Sequence, residues 1–367
     1  MPSTFSHVKV KHITPDWPET FAKRFLFSHS KLTPTTSILQ CGSLRMLTSH
    51  DVTSPHPEPW VSEIGVSVPD VSPVISEFES SSTPFTVVPP LGPSDLEGGV
   101  KTKIYGSVNL AFNALPPAPP LPPGNVLAYD HIVGNVDCMS TTASFLRSVA
   151  WPSSCLGPLL DFASFTAAEV GTTNSGLNSV VLRPSPPGQT SGVLLPLNEP
   201  VDGEVTKSQV TTYLERNAGE GVQHLAIRCG DVLSHVEELR GKGVEFVDGP
   251  GEGYYEVVWE EKARGRIEEG EYERMKRSGV LVDVENMGEE DEGILLQIFT
   301  KPLGDEPTLF LEFIERRGCG SDSRGAGEEA GEGEGELVVG CGGFGKGNFR
   351  ALFEGIEREE RRRGLVK

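Results

Sequence analysis

The sequence predicts an α+β protein of two domains, each built from two βαβββ modules. Three observations carry this expectation. The stretch ALPPAPPLPPG over 114–124 divides the chain into a smaller N-terminal part and a larger C-terminal part. A proline run of this kind favours an extended spacer and excludes a helix or a central strand. Four segments, two on each side of the spacer, open with a short β-type run that carries a polar residue near its middle. The second and fourth runs are each followed by an Asp and then by apolar residues at helical spacing, the pattern of a capped amphipathic helix.

Taken in chain order, the first module opens with FSHVKV from Phe5. The second opens with VSEIGVSV from Val61 and continues into DVSPVISEF, where Asp70 can cap a helix. These make an N-terminal domain over 1–113. The C-terminal domain, 125–367, opens with AYDHIVGN from Ala128, and its second module opens with GVQHLAIRC from Gly221. In DVLSHVEEL, Val232, Val236 and Leu239 fall on one helical face, and Gly241 and Gly243 follow where the helix should stop. Further β-type runs follow each helix. Two low-complexity stretches interrupt the plan. Glu260 to Lys276 is highly charged and reads as a helical surface segment. An acidic glycine-rich stretch over 318–340 buries little and is expected to be a disordered loop. A last amphipathic helix is expected over 347–363, with Phe349, Leu352, Phe353 and Ile356 on one side.

The chain has 367 residues, 37% hydrophobic and 23% charged, which suits a globular protein with real cores. A formal net charge of −20 repels phosphate backbones and argues against a nucleic-acid partner. No apolar run approaches the length of a membrane span. Six cysteines form no CxxC pair and match no zinc spacing, so they read as reduced thiols. The opening MPSTFSHVKVKH lacks the apolar core of a signal peptide and the Arg/Ser-rich character of a transit peptide. The expectation is a cytoplasmic protein, with a plastid location still open.

Strand parity points to chemistry. Residues two apart share a face of a strand. Tyr129, His131 and Val133 therefore share one face, as do Val222, His224 and Ala226, and Phe310, Glu312 and Ile314. Each set places one ionisable group among apolar neighbours. A buried carboxylate needs a compensating partner, and a metal ion is one. Two histidines and one carboxylate form the facial triad of non-haem Fe(II) oxygenases, which leaves half of an octahedron open. A lone strand histidine is more often a hydrogen-bonded core residue, and Glu312 alone could be an ion-pair partner. Parity thus permits a triad without proving one. His7 stands in a position comparable to His131, but Glu63 occupies the matching slot of the next module, so His7 reads as non-catalytic.

The strings YDHIVGNV, SGLNSVVL, LLPLNEPV, KSQVTTYLERNAGEGVQHLAI, LLQIFTKPLGDEPTLFLEFIER and GCGGFGKGNFRALF run in one order from Tyr129 towards the end of the chain. Together they resemble the 4-hydroxyphenylpyruvate dioxygenase family, particularly its plant and algal forms. The resemblance implies the vicinal oxygen chelate fold, itself built of βαβββ modules. It implies Fe(II) held by His131, His224 and Glu312, and conversion of 4-hydroxyphenylpyruvate and O2 to homogentisate and CO2 in tyrosine catabolism. In photosynthetic cells the product also feeds quinone and tocopherol synthesis. Substrate-binding roles are implied for Ser179, Asn198, Gln223, Gln297, Phe299, Phe310, Phe344, Asn348 and Phe349, with Pro196 and Leu352 in the pocket wall. Phe344, Asn348 and Phe349 belong to a segment expected to close over the site. The N-terminal part is shorter than the resemblance implies and matches only loosely, which leaves its packing and a homodimeric assembly open.

Two other readings stand beside this one. A 4-hydroxymandelate synthase has the same fold and iron site but carries a smaller aliphatic residue at the position of Phe299, so Phe299 and Asn198 favour homogentisate formation. A binding protein that kept the fold and lost turnover is the reading from a different class, and the three intact ligand positions weigh against it.

Overall fold

The computed structural model describes residues 4–90, 96–114, 126–172, 175–185, 192–202, 207–285, 287, 292–318 and 343–364. Two eight-stranded mixed sheets organise them. The first comprises β1 (Thr4–His12), β2 (Ser28–Lys31), β3 (Thr36–Cys41), β4 (Leu44–His50), β5 (Trp60–Ser67), β6 (Thr86–Val88), β7 (Gly99–Tyr105) and β8 (Val108–Asn113). The second comprises β9 (Val126–Asn135), β10 (Leu159–Phe165), β11 (Ser175–Pro184), β12 (Leu195–Asp202), β13 (Gly221–Cys229), β14 (Leu281–Glu285), β15 (Gly293–Phe299) and β16 (Phe310–Arg317).

The spatial order is β2-β3-β4-β1-β5-β8-β7-β6 in one sheet and β10-β11-β12-β9-β13-β16-β15-β14 in the other, the same winding used twice. Each half is two βαβββ modules joined through their opening strands, β1 to β5 and β9 to β13, both antiparallel. This is the vicinal oxygen chelate fold that the strings implied. Helices Trp17–Phe25 and Met139–Phe145 fill the helical slots of the first and third modules, which no sequence signal had marked.

Local chemistry accounts for the elements that hold the site. In β13, Leu225 and Ile227 are buried on one face while His224 and Ala226 point to the other. The helix Val232–Gly241 follows, capped where expected, with Ser234 N–H donating to Asp231 Oδ1 at 3.0 Å. Such a cap contributes about 1 kcal/mol. Asp70 differs from its expected role. It lies one residue ahead of the N-cap and accepts from Ser72 N–H at 3.0 Å, forming a turn before the helix Ser72–Ser81. The two halves meet closely at Gly134, where a Cβ would lie 2.7 Å from the Tyr105 ring, so β9 needs a glycine there.

The charged stretch from Glu260 is less superficial than its composition suggested. It runs through a π-turn and the helix Glu269–Ser278, and Ala263, Ile267, Tyr272 and Met275 are buried in the core. The terminal helix spans Phe349–Arg362, entered through a 3-10 turn at Lys346–Asn348, slightly shorter than the expected 347–363. Its expected stripe faces inward, with Phe353 buried and Leu352 and Ile356 half-buried. Glu357 and Glu360 are buried beside them, which an amphipathic reading does not anticipate. The proline-rich spacer beyond residue 114 and positions 319–340 of the acidic stretch lie outside the described residues. No helix among the described residues is long and apolar enough to cross a membrane. The four described cysteines are free thiols.

Candidate metal centre and pocket

Register brings the three parity residues to one point. On β13, Ala226 pairs with His131 of β9 on one side and with Glu312 of β16 on the other. His224 lies two residues earlier on the same strand face, so all three side chains share the concave side of the sheet, and the small Ala226 leaves room between them. His131 Nε2 lies 3.1 Å from Glu312 Oε2, and His224 Nε2 lies 3.3 Å from the same oxygen. The three potential ligand atoms lie within 4.8 Å of one another, and all three residues are buried.

The ring orientation of each histidine is set by a neighbour in sequence. His131 Nδ1 donates to Asp130 Oδ1 at 2.9 Å, and His224 Nδ1 donates to Gln223 Oε1 at 3.0 Å. Holding the proton on Nδ1 turns a free Nε2 lone pair towards the centre, the arrangement a metal ligand requires. Asp130 is itself gripped by Arg316, whose Nε and Nη2 each donate at 2.8 Å. Burial raises the Asp130 carboxyl, but the Arg316 guanidinium outweighs it and holds the group far below the usual range. Asp130 and Arg316 were missed from sequence. The acid directly before a candidate ligand was the only signal, and its importance depends on an arginine 186 positions away.

Burial disfavours the ionised carboxyl of Glu312, yet the adjoining histidines pull it down to about 2. Burial lowers His131, but the charge of Glu312 and the bond to Asp130 raise it to about 9. Burial dominates at His224 and lowers it. Among the described residues, the ion pairs of Glu312 are with these two histidines alone.

The first half supplies a control within the same chain. Its register makes His7 the counterpart of His131 and Glu63 the counterpart of His224, because Lys9 pairs with Glu63 as Val133 pairs with His224. Ala111 stands where Glu312 does, and Lys101 where Phe299 does. Glu63, which the sequence reading placed in that slot, bonds His7 Nε2 at 3.0 Å and Lys101 Nζ at 2.7 Å. The N-terminal carboxylate has a lysine for its cation. Glu312 has no lysine or arginine partner among the described residues, and two imidazoles and a carboxylate face a shared point, a donor set that fits a divalent first-row metal.

A cleft opens from this point. It is lined by Pro196, Asn198, Gln297, Phe299, Phe344, Asn348, Phe349 and Leu352, all named from sequence, together with Val133 and Gly345. The Phe344 ring lies 4.7 Å from that of His131. Phe165, missed from sequence, packs 4.9 Å from Phe349. Three expected residues sit elsewhere. Phe310 stacks at 4.9 Å on His224 and, with Gln223, lines a second pocket that Phe299 also borders. Ser179 pairs with Asn198 across β11 and β12 and does not line the cleft; its buried Oγ has no hydrogen-bond partner among the described residues. Gln297 ties the centre to the C-terminal segment, donating to Glu312 Oε1 at 2.8 Å and accepting from Asn348 Nδ2 at 2.8 Å.

A doubly repeated βαβββ sheet with such a site on one concave face defines a member of the vicinal oxygen chelate superfamily. Consistently, the profile of the Glyoxalase/Bleomycin resistance protein/Dioxygenase superfamily matches residues 172–259. The curated proteins it matches within that superfamily are named 4-hydroxyphenylpyruvate dioxygenase. It is 41% identical to the 4-hydroxyphenylpyruvate dioxygenase of Hordeum vulgare over 295 residues, 74% of this chain and 62% of that protein. With the Arabidopsis thaliana protein of the same name it shares 40% identity over 237 residues, 63% of this chain and 48% of that one. The matched region thus spans about half to three-fifths of these relatives. A variant of 4-hydroxymandelate synthase from Streptomyces coelicolor superposes with a TM-score of 0.70 at 20% identity, over 98% of this chain and 100% of that one, a likeness of fold.

Proposed function

We propose that the chain converts 4-hydroxyphenylpyruvate and O2 to homogentisate and CO2, with Fe(II) held by His131, His224 and Glu312. The observation that carries this reading is the buried Glu312, without a lysine or arginine partner among the described residues and faced by two Nε2 atoms at the end of an aromatic cleft. Bound there, Fe(II) supplies a Lewis-acidic, redox-active centre with free positions for a 2-oxo acid and O2. The chain's own residues do the rest. Asp130 and Gln223 keep the Nδ1 protons of the two histidines in place. Gln297 orients Glu312 through its Oε1. Phe299, Phe344 and Phe349 offer ring faces to a phenol, and Asn198 offers the cleft an amide. The segment from Phe344 to Leu352 covers the cleft and keeps water from the reacting groups.

The test is oxygen uptake with 4-hydroxyphenylpyruvate, with and without added Fe(II), followed by chromatography of the product. Homogentisate is expected. Recovery of 4-hydroxymandelate would instead assign the synthase reaction, and iron binding without uptake would assign a binding protein. Glu312→Ala and His224→Ala should each abolish uptake while the fold is retained; normal turnover in either removes the ligand assignment. We further propose a cytoplasmic or plastid location, which fractionation decides, and a homodimer, which a monomer mass by light scattering would overturn.

A further inference from the structure

We propose that metal binding and docking of the C-terminal segment are energetically coupled, with Arg316 as the positioning residue that carries the coupling. The inference rests on the metal reading of the site above. Arg316 uses two edges of its guanidinium at once. Nε and Nη2 clamp Asp130, which holds the Nδ1 proton of His131, while Nη1 donates to the carbonyl of Gly343 at 2.7 Å. The Arg316 side chain is fully buried and that of Asp130 nearly so. Gly343 is followed by Phe344, whose ring lies against His131. One ligand is therefore bound to the start of the C-terminal segment by a continuous line of hydrogen bonds.

A second line runs in parallel. Glu312 accepts from Gln297, Gln297 accepts from Asn348, and Asn348 accepts from Tyr254 Oη at 2.7 Å. Gly343 and Asn348 bracket Phe344, so the turn into the helix is tied at both ends to two different ligands. If the segment leaves, Arg316 and Gln297 lose buried acceptor or donor partners, and the clamps on His131 and Glu312 slacken. A cation at His131 Nε2 draws electron density from the ring and strengthens the Nδ1–H bond to Asp130. That fixes the carboxylate, the guanidinium and so the carbonyl of Gly343. Linkage makes the effect reciprocal, since a docked segment must tighten the metal by the factor with which the metal tightens the segment. A lysine at position 316 keeps the charge but cannot serve both acceptors with one planar fork.

The test uses the full chain and Co(II) as the probe. Backbone hydrogen exchange over 343–362 is followed with and without saturating Co(II) in the parent, Arg316→Lys and Asp130→Asn, alongside Co(II) affinity and visible spectrum. In the parent, Co(II) should slow exchange in this segment by about 5-fold or more, the lower range of typical coupling. In Arg316→Lys that protection should fall below about 2-fold, with affinity weakened by about 10–100-fold, the usual effect of losing an outer partner of a ligand histidine. Asp130→Asn should move both readouts the same way. A merely structural ion pair would slow or speed exchange equally with and without the metal. Full Co(II)-dependent protection in Arg316→Lys overturns the coupling role. Should that variant not fold, the parent still decides, because Co(II) binding without protection of the segment sinks the inference alone. Absence of Co(II) binding in the parent sinks the metal reading and this inference with it.

Discussion

Gln297→Leu is the sharpest probe of the centre that needs no metal. The side chain is buried and makes two bonds of 2.8 Å, one to the ionised Glu312 and one from Asn348. Leucine keeps the approximate volume and removes both. The bond to the carboxylate is worth about 1.5–3 kcal/mol, and leaving the buried Asn348 amide donor unpaired costs about 1–3 kcal/mol. The sum is a loss of about 2.5–6 kcal/mol, much of what a protein of this size possesses. The assay is urea unfolding of the metal-free chain, run as a double-mutant cycle with Asn348→Leu. Because the two residues share a bond, their costs should fall short of additivity by about 0.5–3 kcal/mol. A cost below about 1 kcal/mol, or strict additivity, would refute the hydrogen-bond line from the C-terminal turn to Glu312.

Three further outcomes follow from the same geometry. Lys101→Met leaves Glu63 buried without its ammonium and should cost about 2–4 kcal/mol, while adding Glu63→Gln should restore most of it; a neutral single variant in thermal melts would deny the pair its role. Burial and the nearby Glu357 raise the Glu360 carboxyl to about 7, against about 4.5 when unfolded. The folded state thus favours the protonated form, so stability is full below about pH 4.5 and declines as pH rises through about 7, by up to about 3 kcal/mol. Glu360→Gln should remove that decline, and a stability difference between the two chains that is the same at pH 5 and pH 8 would contradict the assignment. At Gly345, φ is +72° and a Cβ would lie 2.5 Å from Gln297 Oε1, so Gly345→Ala should loosen the terminal helix; unchanged limited proteolysis of that helix would count against the docking described.

The sequence by itself determined much about this protein. A two-residue period is a local property, so the runs around His131, His224 and Glu312 revealed which side chains share a face before any strand had a partner. The helix after β13 was equally legible, because its Asp231 cap and its Val232, Val236 and Leu239 stripe lie within ten positions. The family strings named eight residues that do line the cleft. They also named Ser179, Gln223 and Phe310, which lie beside it or behind it.

What tertiary structure alone decided is set by pairing between distant segments. Register, not composition, puts Ala226 between His131 and Glu312 and brings Nε2 and Oε2 within bonding reach of one ion. The same pairing shows that Lys101 and Ala111 occupy the places of Phe299 and Glu312, so that a lysine faces the carboxylate of one half and two imidazoles face that of the other. Asp130 precedes His131 in the chain, but its grip on the ring depends on Arg316 arriving from β16. Faces are written into local alternation; charge compensation in a buried centre depends on which strands lie side by side.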